Sequence, residues 1–459
     1  MSVQDYSSKI CVIGAGSSGL TAAKNFLRQG FAVDVLEREA DLGGNWNYGL
    51  PCSRVYRSTH MISSKAFTQL PDFPMPEAFP EYPHHAQVLE YFRAYAAHFR
   101  LEAHIQFQTP VESVEPAEDG RCWHVTIGGG ETRRYAGVVI ANGHHWSPRR
   151  PVYPGSFSGE TLHSAEYKTP EIFNGKRVLV VGGGNSGCDI AVEAAQTAAA
   201  VFHSTRRGYH YIPKFLVGVP ADRAGDRLHK LRFPLAARRA LTSVILRIAV
   251  GRPELIGLPK PDHKLFETHP IVNTLLPYFV GQGDVRPKPD VAELNGDQVR
   301  FVDDSAEKVD VIVYATGYNL VFPFIDQRWL NWHDGRPRLY LNAFHPTYDN
   351  LFVAGMIQPD SGLFGIVHYQ TELMALSLAA ANGHTPQAAR FRRLKSDVST
   401  DTSGGIHYRK SARHDIEVEH WSYTKKLRKL IKRFSGEGDQ PRPIADSFWE
   451  PSPDVSTSR

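Results

Sequence analysis

The sequence predicts an α/β protein built from two Rossmann-like β-α-β units, one inserted into the other. Three observations carry this reading. A glycine-rich loop sits between an apolar strand and a helix near the N-terminus, and a second loop of the same kind begins 168 residues later. Two further apolar strands, Val138 to Ala141 and Val311 to Ala315, then serve as crossings between the units. At 459 residues the chain is long enough for two or three buried cores.

The first unit reads in order from Lys9. Lys9 to Ile13 is a short buried strand, and Gly14-Ala15-Gly16-Ser17-Ser18-Gly19 comes next. Leu20, Ala23, Phe26 and Leu27 recur at helical spacing, and Gly30 closes that helix. Phe31 to Leu36 is the second strand and delivers Glu37, 23 residues beyond Gly14. Glycine loops are common, but a strand before, a helix after and an acid at the end of the next strand make this one specific. Gly14 permits the tight turn, Gly16 lets the backbone approach a pyrophosphate, and Gly19 lets helix and strand pack closely. The helix N-terminus offers free N–H groups to that anion, and Glu37 can accept from ribose hydroxyls.

Pro71 to Pro83 is too rich in proline for helix or central strand. Gln87 to Phe99 has a helical pattern, and strand signals surround Trp123 to Ile127. The second unit places a strand at Arg177 to Val181, the loop Gly182-Gly183-Gly184-Asn185-Ser186-Gly187, a helix from Asp189 and a returning strand at Val201 to Ser204. Here the residue 23 beyond the first glycine is Thr205, with Arg206 and Arg207 directly after it. A carboxylate at that point would repel a 2′-phosphate, whereas a hydroxyl beside guanidinium groups would bind it. The first loop is therefore assigned to FAD and the second to NADPH. Residues 210–290 read as irregular with some helix, a helix is expected near Gly365 to Ala381 and another at Trp421 to Phe434, and a disordered tail is expected after Gly436.

Composition narrows the function. The net charge is +4, too small an excess to suggest a nucleic-acid partner. Cys11, Cys52, Cys122 and Cys188 form no closely spaced pair, which argues against a disulfide framework, a zinc site and a dithiol redox centre. No run of about 18 uncharged apolar residues suggests a transmembrane segment, and the N-terminus lacks a secretory pattern. A cytoplasmic protein without metal is expected, and whether it forms a homo-oligomer is left open. His84-His85 and His144-His145 lack metal-ligand spacing and read as loop histidines. Cys188 reads as a packing residue, and the basic run from Lys425 to Arg433 as a solvated helix face.

Two dinucleotide folds without a metal set or nucleophile–base motif suggest hydride passing from nicotinamide to flavin. Phe157 to Tyr167 reads F-x-G-x3-H-x3-Y, with His163 and Tyr167 as its last two fixed residues. This segment resembles the fingerprint of the flavin-containing monooxygenases, the class B flavoprotein monooxygenases. So do Gly43-Gly44-Asn45-Trp46, Ser63-Ser64-Lys65, Asp72-Phe73-Pro74, Gly184-Asn185-Ser186-Gly187 and Ala315-Thr316-Gly317-Tyr318. The resemblance spans about residues 9 to 380. It implies that NADPH reduces FAD, that O2 adds to form a flavin C4a-hydroperoxide, and that nitrogen or sulfur of a small organic substrate takes the distal oxygen. The related Baeyer–Villiger fingerprint carries tryptophan where this chain has Tyr167, so ketone oxygenation is the alternative. His163 and Tyr167 are expected in the linker between domains, governing NADPH docking. Ile62 departs from the family, whose members carry an asparagine there beside flavin and nicotinamide. Stabilisation of the hydroperoxide would then come from His60, Ser63 or backbone, or the protein would act as an uncoupled NADPH oxidase or flavin reductase.

The expected domains are a discontinuous FAD-binding domain, 1–165 with 310–459, and an NADP-binding domain, 166–309.

Overall fold

A computed structural model describes residues 3–230, 233–409 and 415–435. The first unit opens with β1 (Gln4–Ile13), α1 (Ser17–Arg28) and β2 (Ala32–Leu36). It continues through α2 (His85–His98), β3 (Ile105–Gln106), β4 (Val111–Pro116), β5 (Trp123–Ile127) and β6 (Thr132–Ile140). These strands form one sheet in the order β3-β2-β1-β6-β5-β4. β6 forks: its first half pairs antiparallel with β5, and Val138 to Ile140 pairs in parallel with a late strand, Leu351–Val353. The parallel core has both faces covered, which is why β1 ends in an uninterrupted apolar run. Ile10 and Val12 face one core with Phe26, Tyr95 and Leu373, while Cys11 and Ile13 face another with Trp123 and Val138.

The second unit comprises β7 (Glu160–His163), β8 (Arg177–Val181), α3 (Asn185–Ala194) and β9 (Ala200–Ser204). After it come α4 (Ala221–Lys230), α5 (Leu235–Ala249), α6 (Leu275–Gln282), β10 (Val285–Lys288) and β11 (Val311–Tyr314). Its sheet is wholly parallel, in the order β10-β9-β8-β11-β7. The chain then returns to the first unit, where α7 (Phe364–Asn382) packs on α1, with α8 (Pro386–Lys395) and α9 (His420–Ser435) after it.

Hydrogen bonding draws the border between units differently from the expected 166–309. β7 and β11 lie outside that range yet belong to the second sheet. Both expected crossing strands lie inside sheets, and the chain crosses just beyond them. There Ser147–Pro148 pairs antiparallel with Tyr318–Asn319. His163 is consequently the last residue of a sheet strand and not a linker residue. Its strand has only four residues, two of them exposed, so apolar alternation could not reveal it.

One other expectation changes: His85, read as a loop histidine, is buried as the first residue of α2, and the His84 ring caps that helix by accepting from Ala86 N. The stretch read as irregular with some helix holds α4, α5 and α6. The tail after Gly436 lies outside the described residues. Among the described residues no helix is long and apolar enough to cross a membrane.

Candidate cofactor and active site

The two glycine loops share one backbone geometry because the same steric problem recurs. Each first glycine has a left-handed φ, +103° at Gly14 and +124° at Gly182. Each donates its N–H to the end of the next strand, Gly14 to Leu36 O and Gly182 to Ser204 O, both at 2.9 Å. A Cβ at Gly19 would stand 1.8 Å from Gly14 O, and one at Gly187 1.9 Å from Gly182 O. No larger residue lets these helices start so close to their strands.

Around the first loop the surroundings fit a dinucleotide. α1 begins at Ser17 and Ser18 with no acidic residue in its first turn and no side-chain cap on Gly16, so its N–H groups are left for an anion. A Cβ added at Gly16 would meet nothing nearer than Gly44 Cα, at 3.9 Å. The turn Gly44–Trp46 is drawn over the loop by Gly43 N donating to Ala15 O at 3.0 Å. Asn45 is committed elsewhere, its Oδ1 accepting from Arg54 N at 2.8 Å, while Trp46 packs edge-on to Phe364. Glu37 directly follows β2, with its carboxylate buried. It accepts from Ala15 N at 2.6 Å and Glu39 N at 2.9 Å. Burial pushes its pKa up and the two N–H donors oppose that push. Each oxygen retains lone-pair capacity for a hydroxyl.

At the second loop the counterpart of Ala15 is Gly183, over which the Tyr209 ring lies. α3 likewise has no acid in its first turn. Asn185 binds the stretch inserted between β9 and β10, accepting from Val272 N at 2.8 Å and donating to Pro270 O at 3.0 Å. Ser186 is exposed beside it. Thr205 is buried and donates its N–H to Lys288 O at 3.0 Å. Arg206 is exposed and Arg207 half-buried, with Asp262 within electrostatic reach of Arg207. Two guanidinium groups beside a hydroxyl suit a phosphate.

Between the units, His163 is fully buried. Its Nδ1 accepts from Ala165 N at 3.1 Å, so its Nε2 donates to Gly317 O, also at 3.1 Å. Burial, together with Arg150, lowers its pKa to about 4, and the ring is neutral at physiological pH. Tyr167 is equally buried, stacks on Phe173 and donates to Glu193 of α3. Both rings are thus held by burial and by side-chain hydrogen bonds, two at His163 and one at Tyr167. Ile62 and Ser63 are half-buried in a turn before a short helix, Lys65–Thr68, and the Ser63 hydroxyl pairs with Thr68 Oγ1 at 2.7 Å. His60 is held by Ser58 O at 2.8 Å.

Sequence reasoning missed one cluster. Asp189, one turn into α3, accepts from Tyr56 Oη at 2.7 Å and from Asn273 Nδ2 at 2.6 Å. It joins the first unit, the second and the inserted stretch, and its pKa rises with burial despite those two bonds. His60 and Lys214 lie within its electrostatic reach. Its place four residues after Asn185 on the loop helix was the one local signal available.

Residues 7–431 match the family described as flavin-binding monooxygenase-like. The chain is 33% identical over 464 residues to flavin-containing monooxygenase 5 of Oryctolagus cuniculus, covering 96% of this chain and 85% of that protein. It is 37% identical over 387 residues to the N-oxide-forming dimethylaniline monooxygenase 2 of Mus musculus, covering 79% and 71%. Among solved structures, cyclohexanone monooxygenase from Rhodococcus sp. Phi1 shares the fold at a TM-score of 0.70 and 19% identity, over 94% of this chain and 98% of that one. With matched loops, an anion-ready helix start in each and relatives of this extent, the chain belongs to the flavin-binding monooxygenase-like family, as an FAD- and NADPH-dependent monooxygenase.

Proposed function

We propose that this protein oxygenates a nitrogen or sulfur centre of a small organic substrate at the expense of NADPH and O2. The observation that supports this most is the 37% identity to a relative named for N-oxide formation. Bound FAD supplies electron storage and oxygen activation. The chain's own work is placement. The first loop and Glu37 hold FAD, while the second loop with Thr205, Arg206 and Arg207 holds NADPH. The FAD unit then takes in 1–165 and 310–459 in outline, with the border strands assigned to the NADP unit. His163 and Tyr167 fix the angle between the units, and the turn at 61–64 with the inserted stretch excludes water. The course of oxygen transfer implied by the resemblance is part of this proposal. Its setting is taken as the cytoplasm, in keeping with cysteines that form no disulfide among the described residues.

The test uses purified holoprotein with NADPH, O2 and one of three acceptors: dimethylaniline, a dialkyl sulfide or a cyclic ketone. An N-oxide or sulfoxide formed in step with NADPH oxidation is expected. A lactone alone would move the assignment to Baeyer–Villiger chemistry, which Tyr167 disfavours. Peroxide equal to NADPH consumed, with no oxygenated product, would make it an oxidase.

A further inference from the structure

The stretch inserted after β9 folds back onto the first unit at a narrow strip. Tyr82 Oη donates to Lys214 O, and the Tyr82 ring meets Phe215 edge-on at 5.2 Å. Arg223 pairs with Glu81 at 3.3 Å. The most pointed of these contacts is from the first turn of α4: Asp222 Oδ2 accepts from the backbone N–H of Ser64 at 2.6 Å. At its other end α4 binds the start of α9, where Trp421 Nε1 donates to Asp226 at 2.9 Å and His229 stacks on the Trp421 ring.

Ser64 is fully buried and is the residue on which the short helix Lys65–Thr68 is capped. Its carbonyl already accepts from Phe67 N and Thr68 N, both at 3.1 Å. Its N–H has Asp222 as partner, and a buried N–H is not left without one. Asp222 is itself fixed, because its other oxygen accepts from Arg223 N at 2.8 Å. The turn so held carries Ile62, an aliphatic group with no hydrogen bond to give. One polar anchor of the turn therefore comes from outside it, the Asp222 carboxylate of α4.

We propose that Asp222 is the positioning residue that holds the turn at 61–64 against the cofactor cleft. Seating of the inserted stretch then sets how much of the consumed NADPH ends as oxygenated product. The alternative fate of the electrons is reduction of O2 to free H2O2, which takes a hydride from NADPH and one proton from solvent. This rests on the functional reading above, in which the turn borders the reacting centre.

The experiment compares wild-type holoenzyme with D222A and D222N. Amide hydrogen exchange over residues 60–68 should quicken roughly tenfold in D222A, the worth of one buried hydrogen bond. The fraction of NADPH appearing as H2O2 should rise several-fold, with FAD content and flavin reduction by NADPH unchanged. D222N should restore both readouts in part, since its one amide oxygen can still accept from Ser64 N–H while its NH2 no longer accepts from Arg223 N. Unchanged exchange in D222A would overturn the tie. Faster exchange with an unchanged peroxide fraction would overturn its link to coupling. If the wild type makes no oxygenated product, the functional reading falls, and the exchange comparison still decides whether Asp222 holds the turn.

Discussion

The two glycine loops of this chain are near-copies in backbone and opposites at the end of the strand downstream of each. Both N-cap glycines are extended, Gly16 at φ −78° and Gly184 at φ −80°, and both fourth-position contacts close below 2 Å for any added Cβ. The difference lies at one register position, the residue after the second strand, Glu37 in one unit and Thr205 in the other. On the proposed reading, the shared backbone suits both units to a pyrophosphate, while that position distinguishes the nucleotides. Breaking the shared part should therefore cost most. Gly187→Val drives a side chain into Gly182 O and should slow reduction of bound FAD by NADPH about 100-fold through misplacement of the nicotinamide. Gly19→Val should instead empty the protein of flavin. Stopped-flow bleaching of the flavin and the flavin-to-protein absorbance ratio of purified protein separate these outcomes. Loss of FAD from the Gly187 variant alone would reverse the assignment.

The units also differ in how their loop helices are anchored. α1 carries a buried ion pair, with Lys24 Nζ bound to Asp72 and His368 Nδ1 3.3 Å from the same carboxylate. Burial works to raise the Asp72 pKa, but His368 and Lys24 hold it well below the carboxylate range. α3 is anchored by the side-chain amide of Asn185 and by Asp189. Removing Lys24 leaves the buried carboxylate with His368 as its remaining partner, so Lys24→Met should lower unfolding stability by about 3 kcal/mol, the low end for a broken buried pair. Asn185→Ala loses neutral hydrogen bonds, at about 1–3 kcal/mol for the groups left unpaired. Chemical denaturation of both holoproteins gives the comparison, and equal losses would mean Lys24 is not isolated from water as its 4% exposure indicates.

Legibility in the sequence tracks the range of each interaction. Loops, flanking strands and Glu37 are local patterns, so residues 9–37 and 177–207 read directly. The junction did not. Tyr56 and Asn273 meet Asp189 across 133 and 84 residues, and no spacing rule reaches that far. α5 was unreadable for another reason: Leu241, Val244 and Ile248 are exposed and Leu246 is its one buried residue, so its apolar residues do not mark a core-facing stripe. His163 and Tyr167 stood out by resemblance, yet their partners, Gly317 O and Glu193, come from strand ends and helix faces set only by the folded sheets.

Arg206 and Arg207 sharpen the nucleotide choice further. Arg206 makes no hydrogen bond or ion pair among the described residues, while Arg207 has Asp262 within electrostatic reach. A charge-assisted bond from either to a 2′-phosphate is worth about 1.5–3 kcal/mol. Arg206→Ala should raise the KM for NADPH about tenfold or more while leaving NADH kinetics nearly unchanged. Thr205→Glu, which copies the first unit's acid into the second, should turn the preference toward NADH. A parallel change with both nucleotides would show that the arginines touch the shared part of the cofactor.

The smallest expected effect comes from the residue two before the switch position. In β2 it is Val35; in β9 it is His203, buried and with Nε2 3.0 Å from Gly182 O. The ring must donate there, since a carbonyl only accepts, and its Nδ1 is buried without a partner. Burial therefore lowers its pKa below the ordinary 6.5. Above about pH 6.5 the ring is neutral folded and unfolded alike, so it adds no pH dependence. Below that, the unfolded chain takes up a proton that the folded one refuses, and stability falls until the lowered folded pKa is passed. His203→Val, which copies Val35, should cost about 1 kcal/mol at pH 7 for the lost hydrogen bond to Gly182. At pH 5 the variant should close that gap or overtake the wild type, because it has no proton to refuse. Thermal unfolding at the two pH values decides it: a gap of the same size at both would mean that His203 titrates alike folded and unfolded, and that the Gly182 loop is not held by a neutral ring.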